Sequence, residues 1–312
     1  MLSSLPPAAD DEAAQRRYRL IGIGILLIGS LLFSCKGVLI KLAYLEGDVA
    51  SISLLAIRMA CALPFYLVIG YLGRGKKSGR VVFSTRDRLL AVVFGLCGYY
   101  LASYFDFLGL RYLSAGMERL VLYSYPTIVL LLGLFFLAKP IRPVQWIATA
   151  VCYVGIGIAF SGADFSGGSH FPLGAGLVFM GAFFYSIYLL GSGQLAVRVG
   201  SVRFTSLAMI SAGTAVLLHA VISGAQLLGL PPAVYLYGAT LGIPCTVLPS
   251  YLVTEGVRRL GAGDAAIIGG IGPVFTIILE YYVLGETLST VQWIGGIIVI
   301  GAVLMIGRSR AQ

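Results

Sequence analysis

Apolar residues run in long unbroken stretches along this chain, separated by short polar breaks. A helix needs about 20 mostly apolar residues to cross roughly 30 Å of hydrocarbon at 1.5 Å per residue. Ten stretches meet that requirement: 20–43, 52–72, 89–110, 119–138, 144–161, 172–190, 204–226, 233–253, 265–284 and 291–307. The runs carry no period-two alternation, which excludes the strands of a membrane barrel. The pattern predicts an all-α membrane protein of ten transmembrane helices, with polar tails at 1–19 and 308–312.

Composition agrees with the pattern. Charged residues make up 11% of the 312, against roughly 25% in a soluble domain. Apolar residues make up 58%, at a mean hydropathy of +0.93, more than a soluble surface can hide. Disordered chains are poor in aliphatic and aromatic residues, so disorder is excluded as well. The net charge of +9 reflects topology. With the N-terminus inside, 17 of the 22 basic residues fall on the cytoplasmic side: Arg16, Arg17 and Arg19, the cluster from Arg74 to Arg88, and the pairs at 139/142, 198/203, 258/259 and 308/310. The other side holds Arg111 and Arg119 with acidic Glu46, Asp48, Glu118, Asp164 and Glu286. This is the positive-inside pattern, with both termini cytoplasmic. The Arg74–Arg88 cluster reads as a topology signal beside lipid headgroups, not as a nucleic-acid site. The first span is too long for a signal-peptide core and is expected to remain in the mature protein. All five cysteines fall inside spans, so disulfides are not expected.

The chain repeats itself. At a shift of 147 residues, Gly109–Ile147 lies without gaps against Gly256–Ile294. Arg111 meets Arg258, Ala115-Gly116 meets Ala262-Gly263, and Pro126 meets Pro273. Val144-Gln145-Trp146-Ile147 meets Val291-Gln292-Trp293-Ile294, which pairs the chain's two tryptophans. Each repeat, at 20–161 and 172–307, would hold five spans. Five is odd, so the second copy runs inverted in the membrane. Lys139 and Arg142 then lie inside while their counterparts Glu286 and Ser289 lie outside. Inverted repeats put a solute site near the midplane at their interface and support alternating access, so the expected class is a transporter.

The stretch Arg258–Gly263, the Pro273 helix and LGETLSTVQWIGGIIVIGAVLM (Leu284–Met305) resemble the second half of an EamA-type transporter, of the drug/metabolite transporter superfamily. The first half is similar to the same unit, with Lys41 closing helix 1 and Arg58 in helix 2. It departs at Ala138-Lys139-Pro140, where a Gly-Glu pair is often found. The resemblance implies ten helices, export of a small metabolite, and a multi-pass place in the bacterial inner (plasma) membrane.

Four ionisable residues stand inside spans: Lys36, Arg58, Asp106 and Glu280. Each costs at least about 2.5–3.5 kcal/mol to insert, so each needs a partner or a wet cavity. They either pair with one another or work, with Asp106 or Glu280 carrying protons and Lys36 or Arg58 meeting a carboxylate or phosphate of the solute. Lys41 and Glu255 lie near span ends and are expected to snorkel. Tyr100, Tyr104 and Phe107 share one face of helix 3, and Tyr100 and Tyr104 are candidates for a solute-binding wall. Pro126 and Pro273 occupy equivalent positions and are candidate hinges. Gly295, Gly296 and Gly301 allow close helix approach. Gly191, Gly193 and Ala196 match a dinucleotide fingerprint without the surrounding βαβ unit, and there is no P-loop. His170 and His219 have no metal-site spacing, and no cofactor is expected.

The expected function is secondary transport, export in particular, of amino acids or related amphipathic solutes. The expected partners are a small-molecule substrate, membrane lipids and protons, with no nucleic acid, in a monomer or a homodimer. The alternatives are exchange or uptake of an anionic metabolite and, from another class, a membrane enzyme or lipid-handling protein. No nucleophile–base pair supports an enzyme.

Overall fold

The structure, a computed structural model, describes residues 12–73, 83–159, 161, 170–284 and 290–308, excepting the side chains of Ile277, Glu280, Tyr281, Leu284 and Gln292. The basic run at 74–82, Asp164, Glu286 and the Glu280 side chain therefore lie outside the described residues. Among the described residues the chain is helical and holds no strand. The helices are α1 (Glu12–Leu45), α2 (Ser51–Leu72), α3 (Thr85–Gly109), α4 (Ala115–Leu137), α5 (Pro143–Ala159), α6 (Phe171–Val199), α7 (Ser201–Ile222), α8 (Pro232–Leu260), α9 (Ala262–Ile268), α10 (Gly272–Leu284) and α11 (Thr290–Arg308). Seven of them, α1 to α4 and α6 to α8, are long and apolar enough to cross a membrane. The stretches Pro143–Ala159, Ala262–Thr276 and Trp293–Arg308 are apolar and shorter.

Two helix boundaries differ from the apolar pattern in ways that matter for the site. α4 starts at Ala115, four residues before the apolar run, because Ser114 caps it by accepting the Met117 N–H at 3.2 Å. Glu118 and Arg119, read from the sequence as charges on the outer surface, are thus carried into the first turn and buried. At the other end of the bundle α8 runs on to Leu260. Glu255 does not snorkel; it is fully buried.

Three of these helices are interrupted, and a fourth break separates α9 from α10. α4 breaks at Tyr123-Ser124 and resumes at Tyr125, with Pro126 in the new first turn, where its missing N–H leaves no bond unmade. A 3₁₀ turn, Gly269–Ile271, separates α9 from α10, and Pro273 stands in the first turn of α10. The two candidate hinges therefore open half-helices. α3 and α8 each contain a π-helical stretch, Leu96–Leu101 and Ile243–Val247. The second begins 147 residues after the first, the offset that aligns the two halves of the sequence.

Packing joins α1 to α8, α3 to α6, α2 to α7 and α5 to α11. The core is divided. One apolar cluster fills the space among α2, α3, α7 and the first half of α8, and another lies among α4, α5, α9 and α11. Phe33 and Tyr185 pack against both. At the α5–α11 crossing, Gly155 and Gly295 meet backbone to backbone, and a Cβ on Gly155 would lie 2.9 Å from the Gly295 carbonyl oxygen. Gly295→Leu should force this pair apart and cost at least about 1–3 kcal/mol. Gly301→Leu, in open space, is the control. The readout is the midpoint of heat-induced loss of the monodisperse peak in detergent. Equal midpoints for the two variants would remove the crossing from the fold's stability.

Candidate functional site

Between the two apolar clusters lies a cavity that offers water-sized solvent about 100 Å³. One water needs roughly 10–15 Å³ by this measure, so the space holds several waters or one small solute. Leu26, Phe33 and Lys36 line it from α1, Arg58 from α2, and Tyr99, Ser103 and Asp106 from α3. Arg119, Tyr123 and Tyr125 contribute from α4, Tyr185 and Leu189 from α6, and Val253 and Val257 from α8. Ala265, Gly269, Gly272 and Pro273 close it at the α9–α10 break.

Lys36, Asp106 and Arg119 form the charged wall, with Glu118 buried behind it. Lys36 Nζ lies 2.5 Å from Asp106 Oδ2 and 4.0 Å from Glu118 Oε1. Arg119 Nε lies 3.3 Å from Glu118 Oε2, and its NH2 donates to the Phe33 carbonyl at 2.6 Å. Two cations thus face two carboxylates in a low-dielectric setting, where such attraction is strong and desolvation expensive. Several polar atoms remain without hydrogen-bond partners, among them Asp106 Oδ1, both Glu118 oxygens and the Tyr99 hydroxyl. Tyr99 and Asp106 line the cavity, where water or a solute can supply the missing bonds.

Hydroxyl groups from α1 and α4 reach backbone carbonyls around the α9–α10 break. Tyr125 donates to the Ala266 carbonyl at 3.0 Å and Tyr123 to that of Ile267 at 3.5 Å. Ser34 donates to the Gly272 carbonyl at 3.1 Å. Gly269 and Gly270 leave the space these two phenols occupy, which a Cβ would fill.

Of the sequence candidates, Lys36, Arg58, Asp106 and Pro273 come together on the cavity. Tyr100 and Tyr104 do not: both turn toward His219 of α7, with the Tyr100 hydroxyl 3.2 Å from His219 Nδ1 and the Tyr104 ring 4.9 Å from the imidazole. Tyr99, one position earlier, takes the wall. Pro126 is buried behind the wall. The sequence reading missed Glu118 and Arg119.

One end of the bundle carries a second charge system. Asp264 accepts from Arg19 at 3.1 Å, from Gln145 at 2.8 Å and from Arg142, joining α1, α5 and α9. Glu255 is held by Arg258 at 2.7 Å, Arg259 at 2.6 Å and Ser201 at 2.8 Å, and both arginines lie over the Tyr18 ring. These bonds tie the start of α1 to α7, α8 and α9.

A helical membrane bundle folded around a small cavity of charged and tyrosine side chains is the build of a membrane transporter. The model of the EamA-like transporter family matches residues 20–161 and 172–308. The chain belongs to this family. It is 32% identical over 299 residues to the "uncharacterized transporter YcbK" of Bacillus subtilis (strain 168), covering 91% of this chain and 92% of that one. It is 26% identical over 200 residues to the "uncharacterized inner membrane transporter YedA" of Escherichia coli (strain K12), 61% of each chain. A solved crystal structure superposes with a TM-score of 0.68 at 20% identity, over 93% of this chain and 96% of the other, and so shares the fold.

Proposed function

We propose that this chain is a secondary transporter that exports small metabolites, amino acids or related amphipathic solutes, by alternating access between two inverted five-helix repeats. The observation that carries this reading is the cavity, whose walls come from both halves of the sequence. The packing supports a two-fold relation between the repeats. Exchanging α1 with α6 and α3 with α8 turns the α1–α8 contact into α6–α3, while α2–α7 and α5–α11 map onto themselves. The matched π turns and the matched prolines of α4 and α10 obey the same exchange. In this reading the chain spans the inner membrane ten times with both termini cytoplasmic. The Arg19–Asp264–Arg142 and Glu255 networks then seal the cytoplasmic end.

Asp106 is the leading proton carrier in this scheme, because it lines the cavity and shares Lys36 with Glu118. Glu280 is kept as the second carrier on sequence grounds. The test is uptake into proteoliposomes of a panel of amino acids, nucleosides and sugar phosphates, with and without a pH gradient. Flux of at least one amino acid, accelerated by the gradient, is expected. Asp106→Asn should abolish the acceleration while solute exchange at equal pH persists. No flux of any solute by folded protein would refute the transporter reading, and a gradient response intact in both Asp106→Asn and Glu280→Gln would clear these residues of coupling.

A further inference from the structure

Among the described residues the charges around the cavity do not pair off. Lys36 and Arg119 stand against Asp106 and, behind the wall, Glu118, and Arg58 makes no ion pair. The helices that pack most closely on α2 are α3, α7 and α8. α7 contains no acidic residue, Glu255 of α8 is taken by Arg258 and Arg259, Asp87 of α3 pairs with Arg198, and Asp106 of α3, within electrostatic reach of Arg58, pairs with Lys36. Arg58 is 1% exposed and its three contacts are all neutral. Nε donates to Thr246 Oγ1 at 2.7 Å, NH1 donates to Ser103 Oγ at 3.4 Å, and the guanidinium lies 5.5 Å from the centre of the Phe107 ring. A guanidinium has five N–H donors. Three of them, including both on NH2, have no partner among the described residues. A buried cation with no carboxylate at ion-pair distance among the described residues is unfavourable unless an anion joins it.

The geometry points to Arg58 as the residue that receives the anionic group of the transported solute, a single carboxylate on a small molecule with an apolar or aromatic body. This assignment rests on the transporter reading above. One carboxylate answers the one guanidinium that makes no ion pair among the described residues, whereas a phosphate monoester brings nearly two charges. The donors left open sit on the terminal nitrogens, whose paired N–H groups suit the two oxygens of a planar carboxylate. Thr246 and Ser103 fix the guanidinium, so little freedom remains to be lost on binding. Tyr99, Tyr123, Tyr125, Tyr185 and Phe33 supply aromatic surface for the body. The free Asp106 Oδ1 and Tyr99 hydroxyl are available to a second polar substituent.

The test is a head-group series with one body, 3-phenylpropanoate, 3-phenylpropyl phosphate, 3-phenylpropanol and 3-phenylpropylamine, each offered to proteoliposomes of the full chain. The carboxylate should be carried at least about tenfold faster than the alcohol or amine, the worth of one charge-assisted hydrogen bond. Arg58→Gln should bring it down to the rate of the alcohol, and Arg58→Lys should keep part of the preference, having the charge without the fork. Equal flux of all four, a preference for the phosphate, or a carboxylate preference that survives Arg58→Gln would overturn the assignment and leave the transporter reading standing. Should Arg58→Gln not fold, the wild-type series and Arg58→Lys decide alone. If no member moves, the transporter reading is what has failed. The site is then read by heat: 3-phenylpropanoate must raise the melting midpoint of wild type and not of Arg58→Gln, or the site is refuted too.

Discussion

Lys36→Met is expected to cost the folded protein about 3–5 kcal/mol, the usual result of removing one partner from a buried charge cluster. Lys36 is the group that lies within 4.0 Å of both Asp106 and Glu118. Without it, Glu118 keeps Arg119 and Asp106 is left with no cation at ion-pair distance among the described residues. The heat-induced loss of monodisperse protein, followed by size exclusion, should shift down by many degrees. Adding Asp106→Asn to Lys36→Met leaves Glu118 with Arg119 as a balanced pair, and more than half of the lost stability should return. A single variant that melts like wild type would mean that the four charges are solvated separately and form no cluster.

The second large effect is expected at the opposite charge system. Glu255→Ala removes a fully buried carboxylate that satisfies Arg258, Arg259 and Ser201 together, leaving two buried guanidinium groups over Tyr18. The cost should again be about 3–5 kcal/mol. Glu255→Gln, which keeps the shape and loses the charge, should fall between wild type and the alanine variant. The effect should reach beyond stability, because this network and Asp264 hold the start of α1 against α7, α8 and α9. Cysteine labelling at Leu260 in membrane vesicles should become faster in Glu255→Ala. Unchanged melting of Glu255→Ala would sink the claim that the network fastens this end.

How far the sequence reached can be followed residue by residue. Long apolar runs placed the helices, because length and hydropathy alone decide what can cross a bilayer. Lys36, Arg58 and Asp106 stood out because a charge inside such a run has few explanations, and the structure brings all three to one cavity. Glu118 and Arg119 escaped because two adjacent charges made the apolar run begin late. The missed signal was Ser114, a capping residue that places Glu118 one turn inside a helix. Glu255 was misjudged for the mirror-image reason, since a helix that continues past its apolar stretch can bury a carboxylate among its own arginines. Tyr100 and Tyr104 share a face, as their spacing implies, but tyrosine spacing does not say which of two neighbouring faces looks inward. Ser103 and Asp106, one turn apart and polar, mark the inward face, and Tyr99 belongs to it. The breaks in α4 and between α9 and α10 were half legible, with proline marking where and not what kind. That Arg58 makes no ion pair among the described residues needed the structure, since pairing depends on which helices touch.

The two π turns set angular phase. A residue added to a helix advances whatever follows by about 100°. Ser103 and Asp106 therefore point where they do because Leu96–Leu101 is underwound, with one residue more than an α-turn holds. In α8 the same surplus at Ile243–Val247 orients Ser250 and Thr254 toward the hydroxyls of Tyr66 and Tyr188. α3 and α8 thus carry equal rotational offsets at matched heights along the chain. Removing the first surplus would swing Ser103 and Asp106 off the cavity, and removing the second would swing Ser250 and Thr254 off their tyrosines, with no change in any side chain.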